Sequence, residues 1–307
     1  MAVPDVIATV RVAMLNVDTP VPNVFAKLGT YGAIFDRDLK EAAKRIALNV
    51  TIESQDFNVL LGEYLSPEAI SSFDMFLVTG SAASAYDDAE WIHRLDAFLR
   101  NVWQRQPTAK LFGSCFGHQV MCKSLLDLVV EKDPNGWEIG VHPLELTDEF
   151  ISAFRWGSST FSDVPNGMQT PPHDGPVDLS NMGKAAKTMR LQLVHADHVR
   201  LPEGGLPDGW VVVGKTQSCA NQGVYLPGRA FTFQGHFEFD KFVNSETLKV
   251  FGAMWEPKIL EAALGQIDND DDAERAAEMV LRFALEEEPG LPSGLPGGLL
   301  TPPIMTS

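Results

Sequence analysis

The chain has 307 residues, of which 45% are hydrophobic and 21% charged, and a chain of this size can bury one large core. Its 24 Lys and Arg residues against 41 Asp and Glu residues give a formal net charge of −17. Such a charge repels phosphate backbones and anionic lipids, so we expect neither a nucleic acid nor a membrane as a partner.

The first half of the chain alternates predicted strands with predicted helices. Residues 7–15 are apolar and β-branched and predict a buried strand, and helical spacing behind Asp38 predicts a capped helix over residues 38–48. Further on, strand patterns at 74–78 and 110–113 are each followed by a helical pattern. This alternation predicts an α/β fold, a mostly parallel sheet flanked by helices, with ligands at the carboxyl ends of its strands.

The second half predicts a different arrangement. From about residue 141, short apolar runs separated by polar breaks predict an antiparallel extension of the same sheet. Residues 163–187 are rich in Pro, Gly, Asp and Met and predict a long surface loop that is also a candidate lid. A helix with one apolar face over 273–284 is expected to dock on the core. We assign residues 1–288 to one domain and the Pro- and Gly-rich residues 289–307 to a flexible tail.

The clearest chemical signal is the segment Gly-Ser-Cys-Phe-Gly around Cys115, which has the spacing of a strand-to-helix elbow. Glycines at both flanks allow the tight turn that raises the central side chain above the sheet. A helix that begins directly after Cys115 would aim its N-terminal amides at the sulfur and favour the thiolate. The sequence therefore predicts that Cys115 is a nucleophile.

A cysteine nucleophile needs a base and a group that orients the base. An apolar segment that begins at residue 231 ends in His236 and Glu238. In an extended strand, residues i and i+2 point the same way, so Glu238 is expected to lie beside the His236 ring. The two residues are therefore candidates for the base and its orienting carboxylate.

These motifs, and their order along the chain, resemble those of the class I (triad) glutamine amidotransferase family. The resemblance rests on the elbow at Cys115 with Gln119 behind it and on the His-x-Glu at His236, about 120 residues later. It also includes a His-x-Asp-x-Val stretch that begins at His195, and a glycine, Gly80, in the place of the oxyanion loop. It covers roughly residues 70 to 240 and implies a flavodoxin-like fold and a γ-glutamyl substrate.

The resemblance implies a role for each matched residue. Cys115 would attack the γ-carbonyl of a glutamyl group, His236 would transfer protons, and Glu238 would orient His236. The oxyanion would be held at Gly80, Ser81 and Phe116, and the substrate would be bound by Gln119, His195 and Asp197.

Two departures from the family pattern bear on function. Phe237 stands between the His and the Glu where the family usually has proline, and Gly80-Ser81-Ala82 replaces the usual Gly-Gly-Pro. Such changes favour a freestanding γ-glutamyl hydrolase or peptidase, since the chain also lacks a GxxxxGK[ST] loop. Two alternatives remain: a glutaminase subunit that supplies ammonia to a separate synthetase, and a non-catalytic member of the family.

The remaining chemistry-bearing residues predict no further site. The three cysteines form no CxxC pair, which indicates neither a disulfide framework nor a zinc ribbon. The set His195, Asp197 and His198 is a weak ligand set, so we expect no metal and no cofactor. The N-terminus has no basic region ahead of its apolar residues, and no run of about 18 apolar residues occurs, so the sequence predicts a cytoplasmic protein.

Overall fold

The computed structural model describes residues 8–46, 49–154 and 187–286. These residues form strands and helices that are numbered here in chain order. The strands are β1 (Ala8–Asn16), β2 (Val50–Asn58), β3 (Met75–Val78), β4 (Lys110–Ser114), β5 (Val130–Lys132), β6 (Glu138–Leu146), β7 (Thr188–His195), β8 (Asp197–Val199), β9 (Val211–Val212), β10 (Gly214–Lys215), β11 (Val224–Leu226) and β12 (Ala230–Phe233). The α-helices are α1 (Pro22–Leu28), α2 (Tyr31–Arg45), α3 (Pro67–Ile70), α4 (Glu90–Arg105), α5 (Phe116–Leu126), α6 (Asp148–Ala153), α7 (Lys241–Phe251), α8 (Pro257–Gln266) and α9 (Ala273–Leu285).

The central sheet of the described residues has seven strands in the order β2-β1-β3-β4-β12-β11-β9. The pairs from β2 through to β12 are parallel, and β11 and β9 continue the sheet in antiparallel fashion. The predicted α/β fold with a mostly parallel sheet and an antiparallel extension is therefore confirmed. The extension is shorter than expected, because β6 and β7 pair with β10 in a separate three-stranded sheet.

Burial explains why the central strands form. All four side chains of β3 are buried, as are the last five of β1, since helices cover both faces of the sheet. One face packs against α2 and α9 around Phe35 and Phe283, and the other packs against α4 and α5 around Leu95 and Val120. The carboxyl ends of β1, β3, β4 and β12 meet at one edge of this layer.

Two predicted boundaries were wrong. The helix predicted behind Asp38 begins earlier, at Tyr31, because the hydroxyl of Thr30 accepts a hydrogen bond from the amide of Ala33 and caps it. The strand predicted to run through His236 and Glu238 ends at Phe233.

The C-terminal helix docks as predicted. Helix α9 buries a continuous face that includes Ala276, Val280 and Phe283 in the same hydrophobic cluster as α2. The predicted loop over 163–187 falls almost wholly outside the described residues, and so does the predicted tail over 289–307. Within the described part of the chain, no helix combines the length and the apolarity that are needed to cross a membrane.

Candidate active site

The elbow at Cys115 is formed as the sequence predicts. Strand β4 ends at Ser114, α5 begins at Phe116, and Cys115 between them has φ 52° and ψ −106°, a left-handed conformation that side chains rarely adopt. The backbone around it is pinned, since its amide donates to the carbonyl of Phe233 at 2.8 Å. Cys115 is buried, with 6% of its surface exposed.

Close backbone packing explains the two glycines of the elbow. A Cβ on Gly113 would lie 2.5 Å from the backbone of Gly117, and a Cβ on Gly117 would lie 2.3 Å from the carbonyl oxygen of Val78. Helix α5 can therefore start directly above β3 and β4 only if both positions are glycine. Cys115 therefore stands at the N-terminus of α5, directly before the amide of Phe116 in its first turn.

His236 and Glu238 lie side by side at the carboxyl edge of the sheet. Nδ1 of His236 is 2.7 Å from Oε1 of Glu238, and both side chains are buried. The arrangement does not come from a regular strand: the amide of His236 donates to the carbonyl of Gln192 at 2.8 Å, as an isolated antiparallel bridge to β7. That bridge holds the backbone so that the two side chains face each other.

The electrostatics of His236 favour its charged form. Burial by itself lowers the pKa of the ring, but the charge of Glu238 and the charge and hydrogen bond of Cys115 outweigh burial and raise this pKa to about 10. Because Nδ1 faces Glu238, Nε2 is the nitrogen left for Cys115. The ring is also stacked on Phe239, with centroids 4.0 Å apart and planes 19° apart.

Cys115 and His236 line the same narrow cavity, which has a volume of about 30 Å³. The other lining residues come from six parts of the fold: the turn after β1, the start of α2, the loop after β3, strand β7, the segment between β12 and α7, and helix α7. They include Tyr31, Thr247 and Phe251. Burial, followed by the charge of Asp18, raises the pKa of Tyr31, so this wall stays neutral.

The loop at Gly80 faces the candidate nucleophile. A Cβ on Gly80 would lie 3.1 Å from Cε1 of His236 and 3.6 Å from Cβ of Cys115, so a side chain at this position would press on the ring of His236. Asp18 fixes the loop, because its Oδ2 accepts hydrogen bonds from the hydroxyl of Ser81 at 3.2 Å and from the amide of Ala82 at 2.8 Å. The sequence reasoning missed Asp18, although its place at the carboxyl end of β1 was a usable signal.

Gln119 is linked to Cys115 by a second glutamine, Gln234, which was not predicted from the sequence. Nε2 of Gln119 donates to Oε1 of Gln234 at 3.1 Å and to the carbonyl of Asp197 at 3.2 Å. Nε2 of Gln234 in turn lies 3.6 Å from Sγ of Cys115. Gln234 precedes His236 by two residues in the same segment, and that proximity was its only sequence signal.

His195 and Asp197 are placed behind this glutamine pair. Nε2 of His195 is 3.0 Å from Oε2 of Glu138, and its Nδ1 is 3.0 Å from the carbonyl of Asp197. The carboxylate of Asp197 accepts hydrogen bonds from the hydroxyls of Ser84 at 2.5 Å and Tyr86 at 3.1 Å. Asp197 thus ties β8 to the loop that follows Gly80, and His195 ties the end of β7 to β6 and β8. The predicted contact of both residues with substrate stays a prediction.

Comparison with known proteins gives several relatives. No family model matches the chain. A glutamine amidotransferase-like protein of Schizosaccharomyces pombe is 26% identical over 280 residues, covering 90% of this chain and 99% of that protein. A glutamine amidotransferase of Saccharomyces cerevisiae is 30% identical over 56% of this chain and 55% of its own length. Gamma-glutamyl peptidase 2 of Arabidopsis thaliana is 23% identical over 62% of this chain and 64% of its own length.

Solved structures share the fold. A glutamine amidotransferase of Thermotoga maritima superposes with a TM-score of 0.57 at 17% identity, over 90% of this chain and 96% of that one. A glutamine amidotransferase of Methylobacillus flagellatus superposes with a TM-score of 0.53 at 17% identity, over 94% of this chain and 100% of that one. The resemblance to the class I glutamine amidotransferase-like family is confirmed.

The phenylalanine that replaces the family proline is a core residue. Phe237 points away from His236 and Glu238, is 3% exposed, and packs edge-on against Phe35 with ring centroids 5.1 Å apart. Its ring also lies 5.9 Å from that of Phe112. The substitution therefore changes the packing beneath the site and leaves the His236–Glu238 hydrogen bond in place.

His118 and Cys122 lie in α5, behind the elbow. Nδ1 of His118 is 2.8 Å from the hydroxyl of Thr232 and 3.6 Å from Sγ of Cys122, and all three side chains are fully buried. Burial, followed by the charge of His195, lowers the pKa of His118 to about 3, so its ring is neutral. These residues join α5 to β12 and keep the elbow in register with His236.

Proposed function

We propose that the protein is a cysteine-nucleophile hydrolase that cleaves a γ-glutamyl amide bond through a γ-glutamyl thioester. The observation that carries the proposal is the convergence of Cys115, His236 and Glu238. The strained elbow presents Cys115 to a cavity that His236 also lines, and His236 is held from behind by Glu238 at 2.7 Å. Such a set supplies a nucleophile, a base and an orienting group.

The proposed reaction has two steps. The thiol proton of Cys115 rests on Nε2 of His236 before attack, because the raised pKa of the ring favours its charged form. Sγ of Cys115 attacks the γ-carbonyl carbon, and the tetrahedral intermediate then expels the amine, which leaves with the proton from Nε2. A water molecule gives a proton to His236 and attacks the thioester, which releases the glutamyl acid and restores the sulfur beside the protonated ring. Glu238 holds Nδ1 of His236 throughout, so that Nε2 is the nitrogen that faces the reacting atoms.

The negatively charged oxygen of the tetrahedral intermediate needs hydrogen-bond donors, and they have to lie near both Gly80 and Cys115. We propose the amides of Phe116, Gly80 and Ser81, because the first lies in the opening turn of α5 and the loop of the other two is fixed by Asp18. Preorganised donors of this kind typically contribute about 3 kcal/mol each to stabilisation of the transition state. Gln234 would position both the sulfur and Gln119, which is proposed to contact the glutamyl part.

The proposed substrate is a small molecule in which the γ-carboxyl of glutamate forms an amide. Similarity to gamma-glutamyl peptidases supports this class. A freestanding γ-glutamyl hydrolase is favoured over a glutaminase subunit with a synthetase partner, because the Ser81-Ala82 loop and Phe237 depart from the family pattern.

The test is the release of glutamate, measured by mass spectrometry, from free glutamine and from a panel of γ-glutamyl peptides and conjugates. The Cys115→Ala protein is the negative control, and Cys122→Ala is the matched control because it removes a buried thiol two turns along the same helix. Turnover of conjugates in excess of glutamine, lost in Cys115→Ala and kept in Cys122→Ala, is expected.

Two other results would redirect the assignment. Cys115-dependent turnover of glutamine alone would favour the glutaminase-subunit alternative, and the next step would be to look for a synthetase that co-purifies with the protein. Equal labelling of all three cysteines by an electrophilic glutamine analogue, without any turnover, would favour a non-catalytic role.

A further inference from the structure

Three metal-ligating side chains from separate segments converge on the far side of the β5–β8 pair. Asp133 follows β5, His198 lies in β8, and Cys219 lies in the turn between β10 and β11. One ligand atom of each lies within 4.8 Å of those of the other two. The sequence pattern groups His198 only with its chain neighbours His195 and Asp197, and this set was not predicted because its three residues are far apart in the chain.

The Asp133 carboxylate is aimed into this cluster without a hydrogen bond to account for it. Asp133 is 3% exposed, and its buried Oδ2 has no hydrogen-bond partner among the residues that the structure describes. Nδ1 of His198 lies 3.5 Å from this oxygen. The other carboxylate oxygen of Asp133, Oδ1, accepts a hydrogen bond from the amide of Asn135 at 2.8 Å. A buried carboxylate oxygen of this kind is costly unless a cation or donor reaches it.

The second nitrogen of His198 faces another carboxylate. Nε2 of His198 lies 3.7 Å from Oε1 of Glu131, on the opposite side of the ring from Asp133. Histidines that bind a metal through one nitrogen commonly direct the other towards a carboxylate, which fixes the tautomer and raises the basicity of the ligand. His198 has the same arrangement, with Nδ1 towards Asp133 and Nε2 towards the carboxylate of Glu131.

We propose that Asp133, His198 and Cys219 bind one zinc ion, with water as the fourth ligand. Oxygen, nitrogen and sulfur ligands together suit Zn²⁺ better than Mg²⁺ or Ca²⁺, which take oxygen ligands. Zinc bonds of roughly 2.0–2.3 Å in a tetrahedron place ligand atoms about 3.3–3.8 Å apart. The observed Asp133–His198 separation of 3.5 Å already falls in that range, and Cys219 needs only a small closing movement.

The charge around the cluster is negative. The carboxylates of Glu138 and Asp133 act on Cys219, and negative charge of this kind would attract a divalent ion.

The backbone already holds the three segments together. The amide of Asp133 donates to the carbonyl of Ala196 at 2.8 Å, and Nδ2 of Asn135 donates to the carbonyl of Ser218 at 2.7 Å. The zinc ion would therefore link β5, β8 and the Cys219 turn without rearranging them. Asp197, next to His198, holds the loop that follows Gly80, so this link would stiffen one wall near the candidate active site.

Cobalt is the probe that separates this site from the active site, since Cys115 and His236 are themselves a thiol and imidazole pair. Metal-free full-length protein is titrated with Co²⁺ and followed by absorption. We expect one equivalent to produce a thiolate-to-cobalt charge-transfer band with intense visible bands of a tetrahedral centre. The charge-transfer band is expected to be lost in Cys219→Ser and kept in Cys115→Ser.

Two further variants cover the possibility that Cys219→Ser does not fold. Asp133→Asn keeps the shape of the side chain, and Glu131→Gln leaves all three ligands intact, so circular dichroism can verify that both fold. Each is expected to weaken Co²⁺ binding at least about tenfold. Addition of Zn²⁺ is expected to bleach the cobalt bands and to raise the unfolding midpoint of the wild-type protein by several degrees.

The proposal is overturned by either of two results. One is the absence of a thiolate-to-cobalt band in the wild-type protein. The other is a band that disappears in Cys115→Ser but persists in Cys219→Ser, which would place the metal on the active-site thiol instead.

Discussion

The hydroxyl of Ser114 donates a 3.0 Å hydrogen bond to Oε1 of Glu238, the oxygen that also faces Nδ1 of His236 at 2.7 Å. The residue before the candidate nucleophile therefore helps to hold the carboxylate that orients the candidate base. Oε2 of the same carboxylate is buried and has no hydrogen-bond partner within the described part of the chain. The orientation of Glu238 thus depends on contacts made through one of its two oxygens.

Ser114→Ala is expected to lower kcat by about tenfold or more, because a hydrogen bond to a buried carboxylate contributes about 1.5–3 kcal/mol. KM should change little, since Ser114 points at Glu238 and not into the substrate cavity. Steady-state kinetics with a γ-glutamyl substrate measure both values. A Ser114→Ala protein with wild-type kcat would show that Glu238 is held well enough by His236 alone.

Glu238→Gln should reduce kcat by more than Ser114→Ala does. The glutamine can still accept from Nδ1, but it removes the charge that stabilises the imidazolium, and loss of a comparable carboxylate elsewhere costs up to about 10⁴-fold. Single-turnover kinetics in Glu238→Gln, with Ser114→Ala as the matched control, give the ranking. Equal rates in the two variants would mean that orientation, and not charge, is what Glu238 supplies.

The pH dependence of kcat/KM is expected to report the raised pKa of His236. Below its pKa the ring is protonated and can give a proton to the departing amine, so activity should fall as the pH rises through about 10. Removing the Glu238 charge lowers the pKa of His236, so the alkaline limb of Glu238→Gln should move to lower pH. An alkaline limb in the same place in both proteins would contradict this electrostatic account.

Two glycines near Cys115 should respond differently to substitution by alanine. In Gly80→Ala the new methyl meets the movable ring of His236 at 3.1 Å, so turnover should fall while the free energy of unfolding stays near the wild-type value. In Gly117→Ala it meets the backbone of Val78 at 2.3 Å, and stability should fall by about 1–3 kcal/mol or more. Urea unfolding and turnover, measured on both proteins, separate the two effects. The reverse pattern would contradict the assignment of Gly80 to the site.

The parts of the fold that the sequence predicted are those with strong burial. Strands β3 and β4 are apolar runs between helices, and the elbow at Cys115 has glycines in fixed positions. Strand β2 was not predicted because only one of its nine side chains, that of Ile52, is buried. It is a polar edge strand that pairs with β1 through its backbone over its whole length, and hydrophobic periodicity does not detect such pairing.

The candidate site shows the same division. Cys115 and His236 could be found because their neighbours in the chain carry the pattern. Asp18 contacts the Gly80 loop and Gln234 contacts Cys115, and both contacts join residues that are far apart in the chain. Short-range sequence spacing does not predict such contacts. The side-by-side placement of His236 and Glu238 was predicted for the wrong reason, since a bridge to Gln192 produces it and a regular strand does not.

Phe237→Ala should lower the free energy of unfolding by about 3–5 kcal/mol, because it removes a buried ring that packs on Phe35 and Phe112. The His236–Glu238 hydrogen bond lies on the other side of the backbone, so turnover at a temperature where the variant is folded should fall far less than in Ser114→Ala. Chemical denaturation and turnover of the same preparation measure the two effects. Loss of activity without loss of stability would mean that Phe237 shapes the site directly.

The neutral, buried ring of His118 should make the protein sensitive to acid. Its folded pKa is about 3, well below the unfolded value of about 6.5, so below pH 6.5 the unfolded chain takes up a proton that the native protein does not. The neutral ring of His118 therefore makes its full contribution to the free energy of unfolding above pH 6.5. This contribution is lost as the pH falls towards 3, at up to about 1.4 kcal/mol per pH unit. Between pH 7 and 5 the wild-type protein should lose about 2 kcal/mol more than His118→Gln, which cannot titrate but can still bond to Thr232. Urea unfolding of both proteins at the two pH values measures this difference, and parallel losses would show that protonation of His118 is not coupled to unfolding.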